Sequence, residues 1–208
     1  MSVGAVVFDI GNVLIEWQPE RYYDRAIGEE RRRAMFAEVD LHAMNDAVDR
    51  GGDFAGEVAA CAARYPHWAE EIQLWHDDWG RIAGPAIPGS VTTLEALRRA
   101  GVPVLALSNF GLAPFEIGRR AWPFLDSFDK RYLSGALGMA KPDAEIYAAL
   151  EATCGHAPEA LLFVDDRQEN IDAASARGWQ THLFTGPEDW GARLVAEGLL
   201  PPHWQAAP

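Results

Sequence analysis

The chain has 208 residues, of which 49% are hydrophobic, and a formal net charge of −13 at pH 7. This length predicts one core domain with a modest appendage and enough apolar residues for a packed core. The acidic charge opposes contact with nucleic acid and with anionic membranes, so neither is an expected partner. The sequence contains no run of roughly 20 apolar residues and no signal-peptide pattern near Met1. We therefore expect a cytoplasmic protein, and the sequence leaves its oligomeric state open.

Short apolar runs bounded by turn residues predict the strands of a parallel sheet. Helical patterns at 112–120, 143–154 and 166–177 alternate with these runs. Such alternation is typical of a doubly wound, Rossmann-like α/β core. The predicted strands lie at 5–8, 102–107, 130–133, 161–164 and 180–184.

The segment 16–85 differs from this core, because it is rich in Ala, Glu, Arg and Trp and has almost no strand-like alternation. It predicts a small all-helical domain inserted after the first strand, with residues 1–15 and 86–208 forming the α/β core. The helical patterns in the insertion lie at 19–27, 29–39, 53–64 and 67–82.

Polar residues follow three of the predicted strands, at the sheet edge where ligands of parallel sheets gather. Asp9 follows the first strand, Ser108 and Asn109 the second, and Asp165 with Asp166 the third. Each has an ordinary explanation as a helix cap. Taken together, three carboxylates at one edge repel each other unless a cation is bound or protons are shared. Oxygen ligands of this kind favour Mg²⁺.

Four motifs, in the order FDIGNV, LALSN, GMAKPD and FVDDRQEN, resemble those of the haloacid dehalogenase superfamily. The resemblance covers nearly the whole chain, and the helical insertion is similar to the small cap domain that covers the active site and selects the substrate in that family. It implies a hydrolase, and the aspartate pair of the fourth motif favours a magnesium-dependent phosphatase. The implied substrate is a small phosphorylated metabolite, with sugar phosphates, nucleotides and other organic phosphates all open.

The resemblance also implies roles for individual residues. Asp9 is expected to attack the substrate and form an aspartyl-phosphate, which divides one displacement into two easier steps. Ser108 is expected to hydrogen-bond the transferred group, and Lys141 to offset negative charge on that group and on Asp9. The expected substrate contacts are Asn109, Asn12 and Trp17. The expected Mg²⁺ ligands are Asp9, the backbone carbonyl of Gly11, Asp166 and, partly through water, Asp165. Asn170 is expected to orient that ligand set.

Aromatic residues of the insertion offer a second set of candidate substrate contacts. Trp75, His76 and Trp79 could line a substrate cavity together with Trp17. Trp75 and Trp79 stand at helical spacing, which is equally the pattern of a stripe packed in a core. Both interpretations stay open at this point.

The first motif departs from the usual phosphatase pattern at Gly11, where most such enzymes have an aspartate that serves as general acid and then base. That help is typically worth about 10²–10⁴-fold, and an asparagine such as Asn12 cannot supply it. Three explanations are open: a substrate with a good leaving group, a proton donor in the cap, or a catalytically weak binding module. The candidate cap donors are Asp46, Asp49, His76 and Asp77.

The rival enzyme class is the 2-haloacid dehalogenase, which uses the same aspartate to attack carbon without a metal. That branch usually has an aromatic residue in place of Gly11 and lacks the aspartate pair of the fourth motif. The adjacent Asp165 and Asp166 therefore favour the phosphatase.

Overall fold

The structure, a computed structural model, describes residues 2–205. Five parallel strands form its central sheet, and two short strands form a separate antiparallel ribbon. The sheet confirms the predicted doubly wound α/β fold, with strands at all five predicted positions. The strands are β1 (Ala5–Phe8), β2 (Ile15–Trp17), β3 (Ala83–Ala86), β4 (Val104–Ser108), β5 (Lys130–Leu133), β6 (Leu161–Asp165) and β7 (Gln180–Leu183).

The central sheet has the strand order β5-β4-β1-β6-β7, and its middle strand is buried on both faces. Val7 of β1 pairs with Leu105 on one side and with Phe163 on the other. The chain builds one half of the sheet outward from β1 and then returns to build the other half beside it. This reversal creates a crevice at the carboxyl end of β1, which is where open α/β sheets bind ligands.

Helices cover both faces of the sheet, because alternate residues of each strand point to opposite sides. Val6 and Phe8 join the apolar core on one face, whereas Val7 joins the core on the other. No helix within residues 2–205 is both long and apolar enough to cross a membrane. The helices flanking the sheet are α7 (Pro88–Arg99), α8 (Leu112–Ala121), α9 (Ser134–Leu137), α10 (Ala144–Cys154), α11 (Gln168–Ala176) and α12 (Pro187–Ala196).

Helices α8, α10 and α11 confirm the three helices predicted in the core. Helices α7 and α12, which the sequence did not predict, pack against each other. Trp190 of α12 is fully buried and makes an edge-to-face contact with Phe8, with ring centroids 5.7 Å apart. This contact fixes α12 against the centre of the sheet.

The insertion contains six α-helices, and they differ from the predicted helices in two respects. The predicted helix 67–82 is divided, because the chain leaves the helical conformation at Asp78, with φ −110° and ψ 19°. A helix at 41–49 was not predicted at all. The six helices are α1 (Pro19–Ile27), α2 (Glu29–Glu38), α3 (Leu41–Asp49), α4 (Phe54–Arg64), α5 (Ala69–Asp77) and α6 (Trp79–Ile82).

The antiparallel ribbon joins the two points at which the chain passes between the core and the insertion. Ile15 of β2 pairs with Ala86 of β3, and Trp17 pairs with Ala83. The expectation that 16–85 contains only helices is therefore wrong at both of its ends. The ribbon was missed because its strands have only three and four residues, and the second contains Gly84-Pro85. The boundaries proposed for the two domains fall within this ribbon.

Candidate active site

Asp9 follows β1 at the centre of the sheet, and only 7% of its surface is exposed. Its Oδ1 accepts hydrogen bonds from the Ile10 backbone N–H and from Ser108 Oγ, both at 2.7 Å, and lies 2.9 Å from Lys141 Nζ. Within residues 2–205, no hydrogen-bond donor reaches Oδ2. One oxygen of the carboxylate is thus held in place, and the other is available to a cation or an electrophile.

Lys141 is one of two lysines in the sequence, and its side chain is 1% exposed. Its Nζ lies between two carboxylates, 2.9 Å from Asp9 Oδ1 and 2.6 Å from Asp165 Oδ2. Burial by itself lowers the pKa of Lys141, but the charges of Asp9 and Asp165 outweigh burial and raise that pKa above its usual range. Lys141 is therefore a permanent cation beside Asp9.

Asp165 ends β6 and is completely buried. Besides Lys141, it accepts hydrogen bonds from the Arg167 backbone N–H at 2.8 Å and from Asn170 Nδ2, at 2.9 Å to Oδ1 and 3.0 Å to Oδ2. Both of its oxygens are thus engaged by protein donors. Asp165 holds Lys141 in place, and Asn170 orients Asp165.

Asp166 lies beside the loop that follows β1. Asn12 Nδ2 donates to Asp166 Oδ2 at 3.1 Å, while Asn12 Oδ1 accepts from the Trp17 backbone N–H at 2.9 Å. Asn12 has φ 54°, in the left-handed region that asparagine tolerates better than most residues. The side-chain amide of Asn12, predicted to contact substrate, therefore connects Asp166 to the start of the ribbon.

Asn109 connects two loops of the site. Its Oδ1 accepts from the Lys141 backbone N–H at 2.7 Å, and its Nδ2 donates to the Lys141 carbonyl at 2.9 Å. This reciprocal pair fixes the backbone from which the Lys141 side chain projects. Asn109 lines the cavity as a predicted substrate contact would, but its observed partner is Lys141.

The carboxylates of Asp9, Asp165 and Asp166 each place an oxygen within 4.8 Å of the others. Burial raises the pKa of Asp9 to about 7 against the opposing charge of Lys141, and burial is also the main cause that raises the pKa of Asp166. One ammonium cannot neutralise three carboxylates, so the site fits a divalent cation with oxygen ligands. Because Asp165 is already engaged, Asp9 and Asp166 are the carboxylates better placed to bind it. Gly11 lies in the wall of the same cavity.

A cavity of about 430 Å³ extends from these residues to the inserted domain. Helix α3, missed from the sequence, contributes four polar residues to its roof. A local signal for this helix exists, because Asp40 caps it by accepting from the Ala43 N–H at 2.8 Å, and apolar residues recur along one of its faces. These are Leu41, Met44 and Val48. The four roof residues are His42, Asn45, Asp46 and Asp49.

The tryptophans near the site have separate roles. Trp17 and Trp79 both line the cavity, with ring centroids 5.0 Å apart. Trp75 is fully buried, and its Nε1 donates to Asn45 Oδ1 at 3.2 Å, so it packs behind the roof. His76 and Asp77 lie outside the cavity, where His76 Nδ1 is 2.8 Å from Asp77 Oδ1. Of the four candidate proton donors, only Asp46 and Asp49 face the cavity.

Comparison with known proteins gives both relatives and similar folds. The chain is 26% identical over 172 residues to an enolase-phosphatase E1 of Synechococcus elongatus, an alignment that covers 73% of this chain and 71% of that protein. A haloacid dehalogenase family enzyme of Bacteroides thetaiotaomicron, solved in complex with magnesium and inorganic phosphate, superposes with a TM-score of 0.72 at 22% identity. That superposition covers 92% of this chain and 99% of the other.

The same fold occurs in the L-2-haloacid dehalogenase of Xanthobacter autotrophicus, with a TM-score of 0.61 at 22% identity, covering 96% of this chain and 85% of the other. At such identities the two solved structures show a shared fold and do not separate phosphatase from dehalogenase. The family model of the haloacid dehalogenase-like hydrolases matches residues 3–178. The chain therefore belongs to the haloacid dehalogenase-like hydrolases.

Proposed function

We propose that this hydrolase is a magnesium-dependent phosphatase with Asp9 as its nucleophile. The observation that carries the proposal is the grouping of three carboxylates around one buried lysine, with Asp9 Oδ2 left without a hydrogen-bond donor among the described residues. A dehalogenase that attacks carbon without a metal has no need of Asp166 beside its nucleophile. A phosphatase needs both a cation and a lysine, because its substrate is anionic.

Asp9 and Asp166, with the backbone carbonyl of Gly11, would hold the Mg²⁺. When bound, the ion supplies positive charge that offsets the carboxylates and the phosphoryl oxygens. Asp165 would keep its observed role of holding Lys141. The donor set fits, because it consists of oxygens and its net charge is negative without the ion.

The chain's own residues would then perform the transfer. Asp9 Oδ2 attacks phosphorus, and the bond from phosphorus to the ester oxygen breaks with its electron pair leaving on that oxygen. Ser108 and Lys141 hold Oδ1, so that Oδ2 faces the cavity. Water then attacks phosphorus of the aspartyl-phosphate, which releases phosphate and restores the Asp9 carboxylate. Lys141 compensates negative charge throughout, as phosphoryl transfer depends mainly on position and charge.

The cavity favours a hydroxylated substrate without negative charge beyond its phosphate, such as a sugar or polyol phosphate. Asp46 and Glu16 both line it and would repel a second anionic group. Among the described lining residues, the permanent cations are Lys141 and Arg167, and both are paired with carboxylates. Trp17 and Trp79 offer flat apolar surfaces, and the polar roof offers hydrogen-bond partners for hydroxyl groups.

Phosphate release from a panel of phosphate esters, measured with Mg²⁺ and with excess chelator, tests the proposal. We expect turnover of sugar or polyol phosphates with Mg²⁺ and none with chelator. Asp9→Asn should abolish turnover without unfolding the protein, because the two side chains are nearly equal in shape. Asp77→Asn, which changes an exposed carboxylate outside the cavity, is the matched control. Halide release from a 2-haloacid in the presence of chelator would assign the protein to the dehalogenases instead.

A further inference from the structure

The loop after β1 has Gly11 where an acid–base carboxyl group would otherwise stand, but α3 brings another carboxyl group to the same cavity. Asp49, the last residue of α3, lines the cavity that contains Asp9. Its exposure is 9%, whereas the neighbouring Asp46 of the roof is exposed to solvent. Asp49 is therefore the one buried carboxyl group among the described residues of this roof.

Hydrogen bonds fix both oxygens of Asp49. Its Oδ1 accepts from the Gly111 backbone N–H at 2.8 Å, and its Oδ2 accepts from Asn45 Nδ2 at 2.8 Å. The Trp75 indole N–H, which can only donate, occupies Asn45 Oδ1 and so turns the Asn45 amide N–H₂ towards Asp49. Ser134 Oγ also donates to the Asp49 backbone carbonyl. The carboxyl group is held rigidly where the roof meets the core.

The charges around Asp49 favour its protonated form. No cation pairs with it within residues 2–205, and the adjacent Arg50 pairs with Asp143 instead, at 2.9 Å. The neighbouring groups that titrate are Asp46 on the same helix and Asp9 at the end of β1. Burial is the main cause that raises the pKa of Asp49 to about 7, and the negative charges of Asp46 and Asp9 raise that pKa further. The hydrogen bonds from Gly111 and Asn45 act in the opposite direction and lower it. The groups that Asp49 contacts on the core, the Gly111 N–H and the Ser134 hydroxyl, are neutral.

We propose that Asp49 is the general acid and then the general base of the reaction, a role that rests on the proposed phosphatase function. In the first step Asp9 bonds to phosphorus, the ester bond breaks, and Asp49 gives its proton to the departing oxygen, so that an alcohol leaves and Asp49 becomes a carboxylate. In the second step Asp49 takes a proton from the water that attacks phosphorus. Phosphate leaves, the Asp9 carboxylate is restored, and Asp49 again carries its proton.

Kinetics of Asp49→Asn over esters with different leaving groups test this role. The variant keeps a side-chain oxygen to accept from the Gly111 N–H but has no proton to transfer. We expect turnover of alkyl phosphates at saturating Mg²⁺ to fall by about 10²–10⁴-fold. With 2,4-dinitrophenyl phosphate, whose leaving group needs no proton, a rapid burst of dinitrophenol equal to the enzyme concentration should persist, because the first step survives and only the second is slow.

Two further variants separate catalysis from a merely structural role. Asp77→Asn should behave as the wild type with every ester, and Asp49→Glu, which restores an acidic proton, should recover part of the alkyl phosphate activity. An equal loss for alkyl and dinitrophenyl esters, with no burst, would overturn the role of Asp49 and leave the phosphatase proposal intact. If Asp49→Asn does not fold, the alkyl and dinitrophenyl esters are compared in Asp49→Glu, where the acidic proton is displaced. An equal loss for both kinds of ester in that variant would likewise overturn the role of Asp49. A wild type that releases phosphate from no ester would overturn both.

Discussion

Lys141 Nζ lies 2.9 Å from Asp9 Oδ1 and 2.6 Å from Asp165 Oδ2, with 1% of its side chain exposed. The buried ammonium group of Lys141 therefore connects the end of β1, which carries the proposed nucleophile Asp9, with the end of β6, which carries Asp165. Removing one member of such a group leaves a buried charge without a partner, and this strongly destabilises the fold. Replacing the whole group by apolar residues of equal size has a much smaller effect on stability. Both the stability and the chemistry of the site depend on this bridge.

Lys141→Met should lower the free energy of unfolding by about 3–5 kcal/mol at pH 7, because Asp9 and Asp165 would be left buried without their cation. Phosphatase activity should fall by at least about 10²-fold. Urea unfolding and phosphate release measure the two effects. Lys130→Met is the matched control, since Lys130 is the other lysine and is exposed. Equal stability of the two variants would contradict the proposed role of the bridge.

Asp166→Ala should reproduce the effect of a chelator, because Asp166 is the aspartate of the cluster not engaged by Lys141. We expect Mg²⁺ affinity measured by calorimetry to fall by at least about 10-fold, and activity to fall with it. Asp172→Asn is the control, since Asp172 lies on α11 and contacts Gln168 at the surface. Unchanged Mg²⁺ binding in Asp166→Ala would remove this residue from the metal site.

Asp46→Asn should change substrate preference more than total activity, because it removes one negative charge from the roof. The ratio of kcat/KM for a carboxylated phosphate ester to that for a polyol phosphate should rise by about 3–10-fold at low ionic strength, and by less at high salt. The two esters are compared in one buffer series. A ratio that is the same in the wild type and the variant at every salt concentration would show that roof charge does not select the substrate.

Asp49→Asn should change how stability depends on pH in the metal-free protein. The pKa of Asp49 is about 7 in the folded protein and ordinarily 3.8. Its contribution is fully present below about pH 4 and is lost as pH rises towards 7, because the unfolded chain gives up the proton first. Between pH 5 and pH 8 the wild type should therefore lose about 2–3 kcal/mol of unfolding free energy relative to the variant. Parallel pH profiles from urea unfolding would contradict this pKa.

The central sheet and the polar residues at its edge could be predicted from local sequence. A buried parallel strand is a short apolar run bounded by turn residues, so the information that specifies Ala5–Phe8 or Leu161–Asp165 is local. Once the strands are known to be parallel, their carboxyl ends meet at one edge. The convergence of Asp9, Ser108 and Asp166 follows from that geometry without knowledge of any side-chain contact.

The insertion could be predicted only in part, because its decisive features depend on distant pairing. Ile15–Trp17 and Ala83–Ala86 are too short to show a strand pattern, and each is a strand only because the other lies beside it. Helix Leu41–Asp49 is a different case, because its local signals, the Asp40 cap and the apolar spacing, are in the sequence but were not recognised. Because this helix was not predicted, the polar roof that it gives to the cavity was not predicted either.

Which polar groups meet in the site depends on contacts between distant parts of the chain. The side chains of Asn12 and Asn109, predicted to contact substrate, hydrogen-bond Asp166, the Trp17 backbone and the Lys141 backbone, which local sequence does not reveal. In the sequence Asp49 was one of four candidate proton donors with nothing to distinguish it from the others. In the structure it is buried, and it accepts a hydrogen bond from the backbone of Gly111, 62 positions away. A hydrogen bond or a pKa depends on desolvation and on neighbours from other parts of the chain, and local sequence specifies neither.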